Sequence, residues 1–501
     1  MEKKLAQLKE KLQVIEDLNL INSLLNWDQS TYMPAGGASA RGRQMAMIGQ
    51  MAQEKAIDPE IGKLLDDLEP WAETLPFDSD DAALIRVSRR NYDLAIKIPP
   101  ALMGEFYQHG AESYQVWTEA RPNNDFKAVE PYLEKTLELS RKLADCFPGY
   151  EHIADPLIDF SDYGMKASSV RQVFADLRAE LVPLVEAILE KDEVDKSVLL
   201  KHYPLDKQEA FGVEIIKAFG YDFQHGRQDT THHPFMTKFS LNDVRITTRF
   251  QENDLGDGLF STLHESGHAM YEQGIDKSYE GTPMADGTSS GVHESQSRLW
   301  ENVVGRSKPF WSHYLPVARK YFPEQLEGVS LDEFYKAINK VSRSLIRVDA
   351  DEVTYNLHVM IRFDLELALL EGSLAIKDLP EAWHARYQSD LGLRAPSDVD
   401  GVLQDVHWFF GTIGGAFQGY TLGNIMCGLF YSHALKAHPE IPDEIGQGKF
   451  DTLHGWMKDN IYRYGAKYTA PELIEKVTGG PLTIEPYMEY LKTKYGEIYD
   501  L

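Results

Sequence analysis

The chain has 501 residues, with 51 Lys and Arg against 78 Asp and Glu, and its formal charge of −27 makes nucleic acid and anionic membranes poor partners. The length allows about three average domains, yet no linker, low-complexity run or internal repeat divides it, so one unit over residues 1–501 is expected. Its two cysteines, Cys146 and Cys427, lie far apart without ligand spacing and read as buried or free thiols in a reducing compartment.

Met1-Glu2-Lys3-Lys4-Leu5 opens an amphipathic helix with Leu5, Leu8, Leu12 and Ile15 on one face. It lacks the apolar core of a signal peptide. No apolar run reaches membrane-spanning length, so a soluble, cytoplasmic protein is expected. Helical patterns cover 1–26, 39–56, 79–97, 100–120, 127–145, 168–191, 206–219 and 256–274. They resume at 291–320, 331–344, 350–372, 380–391, 399–436, 450–464, 470–478 and 484–498. The exception is 237–241 followed by 244–250, which alternate at period two around Asn242-Asp243 and signal a hairpin. The expected fold is mainly α, a large multi-helix single domain with a small β-sheet beside a cleft. The edge of such a sheet suits an extended peptide.

Within the helix over 256–274 stands His264-Glu265-Ser266-Gly267-His268. Positions i and i+4 share a helix face, so both imidazoles reach one metal ion, and the intervening Glu265 meets an attacking water. The alternative is a pair of core histidines. Context favours the metal: Phe260, Leu263, Met270 and Tyr271 recur at near-helical spacing, Gly256-Asp257-Gly258 marks a helix start and Gly274 a stop. No suitably spaced His follows Gly274, so a third ligand from a second helix is expected. Glu294 and Glu301 lie seven apart on one face of that helix, and spacing alone leaves both open. Glu294 is preferred because it follows the Gly/Ser-rich turn from Asp286 to Gly291. His293 reads as a neighbour of the ligands or a substrate-facing group.

Four further segments combine polar groups with apolar surroundings: His233-Pro234-Phe235, Asp243-Val244-Arg245-Ile246-Thr247, Ile346-Arg347-Val348-Asp349-Ala350-Asp351, and Gly401-Val402-Leu403-Gln404-Asp405-Val406-His407-Trp408. The last two are expected to start long helices. Asp351 and Asp405 are compatible with ordinary helix-start acids, and His407 with a satisfied core histidine. Arg347 stands apart, because an arginine fork suits the terminal carboxylate of a peptide.

These segments and the His-Glu-x-x-His stretch occur in the order HPF, DxRxT, HExxH, HES(G)Q, (I/V)RxxAD and GxxQDxHW, preceded by Trp27-Asp28-Gln29 and Met33-Pro34. The ordered set spans nearly the whole chain and resembles the carboxypeptidase Taq family of metallocarboxypeptidases. The resemblance implies a helical, saddle- or V-shaped subunit with a deep groove, usually a homodimer, that removes single residues from peptide C-termini with broad specificity. It implies His264, His268 and Glu294 as metal ligands, Glu265 as general base and Arg347 as carboxylate anchor. It also brings His233, Arg245, Asp405 and His407 to the site. Tyr420, in the Gly419-Tyr420 step after the last motif, is a further candidate, as a transition-state hydrogen-bond donor. One divalent ion per subunit is expected, zinc by default for two His and a Glu, with cobalt or manganese compatible. The nearest rival is an endo-acting zinc oligopeptidase, which needs no carboxylate anchor. A non-catalytic peptide-binding protein is a second rival, disfavoured because binding has no use for Glu265.

Overall fold

Apolar residues at helical spacing between capping residues build most of the chain. The computed structural model, which describes residues 1–501, begins with α1 (Glu2–Thr31), α2 (Ala38–Ala56), α3 (Pro59–Ala72) and α4 (Asp80–Lys97). α1 runs past its expected end at 26 and carries Trp27-Asp28-Gln29 in its last turns. α3 was not among the expected helices. Asp58 caps it by accepting from the Glu60 amide, Pro59 starts it, and Ile61, Leu64, Leu65 and Leu68 form its buried face. Leu8, Leu12, Leu65 and Leu84 form a small core of this N-terminal group, which meets the rest of the chain at Leu241, Ile275, Tyr279 and Met284.

Next come α5 (Pro100–Ala120), α6 (Phe126–Asp145), α7 (Asp155–Asp159), α8 (Ala167–Leu189) and α9 (Leu205–Phe219). A three-stranded sheet follows: β1 (Gln228–Thr230), β2 (Phe235–Ser240) and β3 (Asp243–Thr248), in the order β1-β3-β2. β2 and β3 are the expected antiparallel hairpin, with Lys238 opposite Val244 and Phe235 opposite Thr247. β1 adds a parallel partner, with Gln228 opposite Ile246. Its three residues show no alternation long enough to announce a strand.

α10 (Leu255–Gly274) packs on β2, β3 and α9, and carries the His-Glu-x-x-His stretch. Asp254 starts it by accepting from the Gly256 and Asp257 amides. α11 (Ser290–Arg298) lies against it, capped by Ser289. The two helices meet at Gly267, where a Cβ would sit 2.5 Å from the Gln296 carbonyl oxygen. The helix expected over 291–320 is interrupted: a wide π-turn, Leu299–Val304, follows α11, and α12 (Lys308–Tyr321) restarts after Ser307 caps it.

The remainder is α13 (Leu331–Ile338), α14 (Tyr355–Glu371), α15 (Leu379–Leu391), α16 (Gln418–Ala437), α17 (Ile441–Ile445), α18 (Asp451–Asn460), α19 (Ala470–Thr478) and α20 (Glu485–Tyr499). Two expectations need correction here. Ile346 to Asp351 does not start a helix; Arg347–Asp349 is an isolated 3-10 turn, and α14 begins at Tyr355. The continuous helix expected over 399–436 is absent before Gln418. The chain there folds into turns around a short 3-10 segment, Val406–Phe409. Gly415 takes φ +93° where its backbone presses on Leu157, a position closed to a side chain. One large apolar core, including Trp300, Trp311 and Trp408, runs through the chain from α5 to α20. No helix is long and apolar enough to cross a membrane.

Candidate active site

α10 places His264 and His268 one turn apart, with ring centroids separated by 4.9 Å. α11 brings Glu294 across to them. Its Oε2 lies 3.7 Å from His264 Nε2 and 3.5 Å from His268 Nε2, and the donor atoms of the three residues all fall within 4.8 Å of one another. The far sides of both rings are already engaged. His264 Nδ1 donates to Glu301 Oε2 at 2.9 Å, and His268 Nδ1 lies 2.7 Å from His293 Nδ1. The Nε2 atoms of both rings therefore converge with a carboxylate oxygen, a donor set that fits a divalent ion. The geometry also separates the two glutamates that spacing left equivalent: Glu294 faces Nε2, Glu301 backs Nδ1.

Arg298, one turn beyond Glu294, ties the two carboxylates together. Its Nε donates to Glu294 Oε1 at 2.7 Å and its Nη1 to Glu301 Oε2 at 3.1 Å, while the guanidinium lies 4.7 Å from the Tyr355 ring centroid. Burial opposes charge on both acids, but Arg298 and His264 outweigh it. Glu294 is held well below the usual carboxylate range and Glu301 is drawn down to about 2. Burial also disfavours charge on His264, yet Glu294 and Glu301 raise its pKa above the ordinary histidine value. His268 goes the other way: burial, helped by His293 and His264, brings it down to about 4.

Glu265 is buried and faces a cavity of about 670 Å³ that His233, His264, Arg298 and Tyr355 also line. Burial pushes its carboxyl up to about 7; His264 opposes the shift, and Glu294 and Glu301 add to it. A carboxylate poised near neutrality suits proton transfer in both directions. A second cavity, of about 520 Å³, is lined by His268, His293, Glu294, Thr288, Phe160 and Tyr420.

A sequence model of the carboxypeptidase Taq (M32) metallopeptidase family matches residues 7–495. The chain belongs to this family. It is 41% identical over 490 residues to thermostable carboxypeptidase 1 of Thermus thermophilus, covering 96% of each chain. It is 34% identical over 478 residues to carboxypeptidase 1 of Bacillus subtilis, covering 95% of each. The crystal structure of the M32 carboxypeptidase from Deinococcus radiodurans R1 superposes with a TM-score of 0.97 at 51% identity over the whole of both chains.

In this carboxypeptidase Taq family member, Arg347 and its neighbours form a polar cluster among aromatic rings. Arg347 Nε donates to Asp405 Oδ2 at 2.9 Å, Nη1 donates to the Tyr355 hydroxyl at 3.1 Å, and its amide donates to Gln404 Oε1. Nη2 has no protein partner. The Phe417 and Tyr420 ring centroids lie 5.2 and 5.6 Å from the guanidinium carbon. Asp405 also accepts from His407 Nδ1 and faces Arg362 at 3.9 Å. Burial works against its charge, but His407, Arg362 and Arg347 hold it well below the usual carboxylate range. Tyr420 bridges this cluster and the second cavity, and burial raises its hydroxyl pKa above the usual phenol value.

The sheet meets the larger cavity only through the lead-in to β2. His233, exposed, and Pro234 line it, while no residue of the three strands does. The expected strand-edge cradle is therefore not what faces the site. Arg245 also departs from expectation. It makes a two-point pair with Asp243, both bonds 2.8 Å, and lies between the Trp27 and Phe239 rings at 4.5 and 4.8 Å, joining the sheet to α1. It lines neither cavity, and neither do Arg347, Asp405 and His407, which reach the second cavity only through Tyr420. Sequence reasoning missed Arg298 and Tyr355. The i,i+4 spacing of Glu294 and Arg298 was an available signal for the first; Tyr355 carried none.

Proposed function

We propose that this chain is a metal-dependent carboxypeptidase that releases single C-terminal amino acids from peptides with broad specificity. One observation carries the reading: His264 Nε2, His268 Nε2 and Glu294 Oε2 converge beside a buried Glu265 poised near neutrality. The names of its close relatives support the choice of carboxypeptidase over oligopeptidase. Zinc is the proposed ion, with cobalt and manganese compatible with the same donors. Cytoplasmic location, a homodimer and a single catalytic unit over 1–501 complete the proposal.

When bound by His264, His268 and Glu294, the ion supplies positive charge that polarises the scissile carbonyl and acidifies water. Glu265 takes a proton from the attacking water and returns it to the departing amine as the C–N bond breaks. Arg347, with Nε committed to Asp405, offers its unpartnered Nη2 to the terminal carboxylate and so restricts cleavage to the last peptide bond. Asp405 and His407 hold that guanidinium in place. Tyr420 keeps its proton and donates to the oxyanion that develops at the carbonyl. His233 contacts the substrate at the cavity wall. Chelator-stripped protein tests the metal dependence: activity is lost on stripping and returns with one equivalent of zinc per subunit. Full activity in protein free of metal overturns the proposal.

A further inference from the structure

A line of polar groups leads away from His268 that the reaction above does not use. His268 Nδ1 lies 2.7 Å from His293 Nδ1, and His293 Nε2 lies 2.9 Å from Glu272 Oε1. Glu272 Oε2 accepts from Lys238 Nζ at 2.7 Å, and Oε1 also accepts from the Gly287 amide at 3.0 Å. Lys238 further donates to the Ala285 carbonyl and to Asp286. The line thus crosses from α10 to α11, back to α10, and out to β2. His264 is backed differently, directly by the Glu301 carboxylate.

The direction of each hydrogen bond follows from what each group offers. The Glu272 carboxylate, paired with the Lys238 ammonium and the Gly287 amide, offers acceptors only. It therefore takes the Nε2 proton of His293. A His268 that holds a metal ion through Nε2 carries its proton on Nδ1, and the 2.7 Å contact places Nδ1 of His293 to accept it. That leaves the His268 lone pair on Nε2, the atom facing Glu294.

We propose that His293 is a positioning residue which, held by Glu272 and Lys238, keeps the His268 proton on Nδ1 and so frees Nε2 for the metal ion. The inference rests on the reading of His264, His268 and Glu294 as the metal site. Glu272 sets the direction because donors reach both of its oxygens, Lys238 at Oε2 and the Gly287 amide at Oε1. In Glu272→Gln, an amide nitrogen at the Oε2 position meets the Lys238 ammonium. At the Oε1 position it meets the Gly287 amide and donates to His293, reversing the line and placing a proton on His268 Nε2.

The test is zinc binding by the metal-free chain, measured in competition with a chromophoric chelator, with the visible spectrum on cobalt(II) addition as a second readout. His293→Ala weakens zinc about 10- to 100-fold, the usual effect of losing the partner of a metal-bound histidine. His293→Asn, whose Oδ1 takes the place of Nδ1, recovers most of that loss. Glu272→Gln weakens zinc in the parent but adds nothing in the His293→Asn background, because the line is already cut. Zinc bound by His293→Ala as tightly as by the parent overturns the proposal. An equal loss from Glu272→Gln in both backgrounds does so too, since that is what a merely structural role produces. If His293→Ala does not melt cooperatively without metal, the comparison of Glu272→Gln in the two backgrounds decides alone. Failure of the metal-site reading looks different: the parent binds no zinc, or His268→Ala binds it undiminished.

Discussion

The proposed role of Arg347 as carboxylate anchor is what distinguishes a carboxypeptidase from an oligopeptidase here, and Arg347→Ala tests it. The guanidinium is largely buried and pairs with Asp405 through Nε alone, so its open Nη2 gives a substrate carboxylate a charge-assisted bond in a partly dry setting. Truncating one side of such a desolvated charge pair costs about 2–5 kcal/mol. At about 1.4 kcal/mol per factor of ten, kcat/KM on a peptide with a free C-terminus falls roughly 30- to several thousand-fold. Part of any loss comes from Asp405, which is left with His407 and a distant Arg362. Arg347→Lys controls for this, because it keeps a positive charge for Asp405 but removes the fork; its expected rate is intermediate. The assay follows amino-acid release from an N-blocked peptide beside the same peptide amidated at its C-terminus. The variant should lose activity on the free acid and none on the amide. Equal cleavage of the free acid by Arg347→Ala and the parent refutes the anchor.

Glu265→Gln should lower kcat by about 10²–10⁴, the range for a general base, while zinc content by elemental analysis stays at the parent level. Loss of zinc along with activity would instead point to a ligand role. Zinc uptake should release protons near neutral pH. In the metal-free site Glu265 stands at about 7 and the raised His264 pKa acts in the same direction, so an adjacent cation displaces protons and the release grows as pH falls from 8 towards 6.5. Calorimetry in buffers of different ionisation heat measures it; a release that does not change over that range contradicts the assigned shifts. Gly267→Ala should destabilise the chain by about 1–3 kcal/mol by overpacking, more than the roughly 1 kcal/mol gained in helix propensity. The added Cβ meets backbone atoms of Gln296 and Ser297 at 2.5 and 2.7 Å, so α10 and α11 have to part. An unchanged denaturant midpoint contradicts this.

The helices were legible where local pattern and local caps agree. α10 was expected over 256–274 and spans Leu255–Gly274, because Asp254 and the apolar spacing around His264 are near neighbours in sequence. The stretch from 399 to 417 misled for the opposite reason. Its apolar spacing suits a helix, but Gly415 and the pairing of Asp405 with Arg347, far away in sequence, hold it in turns. The cluster of His264, His268 and Glu294 could be anticipated from spacing and family motifs. Their partners mostly could not: Lys238 and Tyr355 reach the site through tertiary contacts that no periodicity records, whereas Glu272 stands at i+4 from His268. Arg245 shows the converse, a motif residue whose contacts serve the joint between sheet and α1.

The most direct test of the central claim uses zinc-loaded protein and one peptide in two forms, blocked at the N-terminus or at the C-terminus, with products followed by mass. Stepwise loss of single C-terminal residues from the N-blocked form alone is the expected result, abolished by a chelator and by Glu265→Gln. Internal cuts in both forms would contradict it and make the chain an oligopeptidase, and no cleavage of either would remove the enzymatic reading altogether.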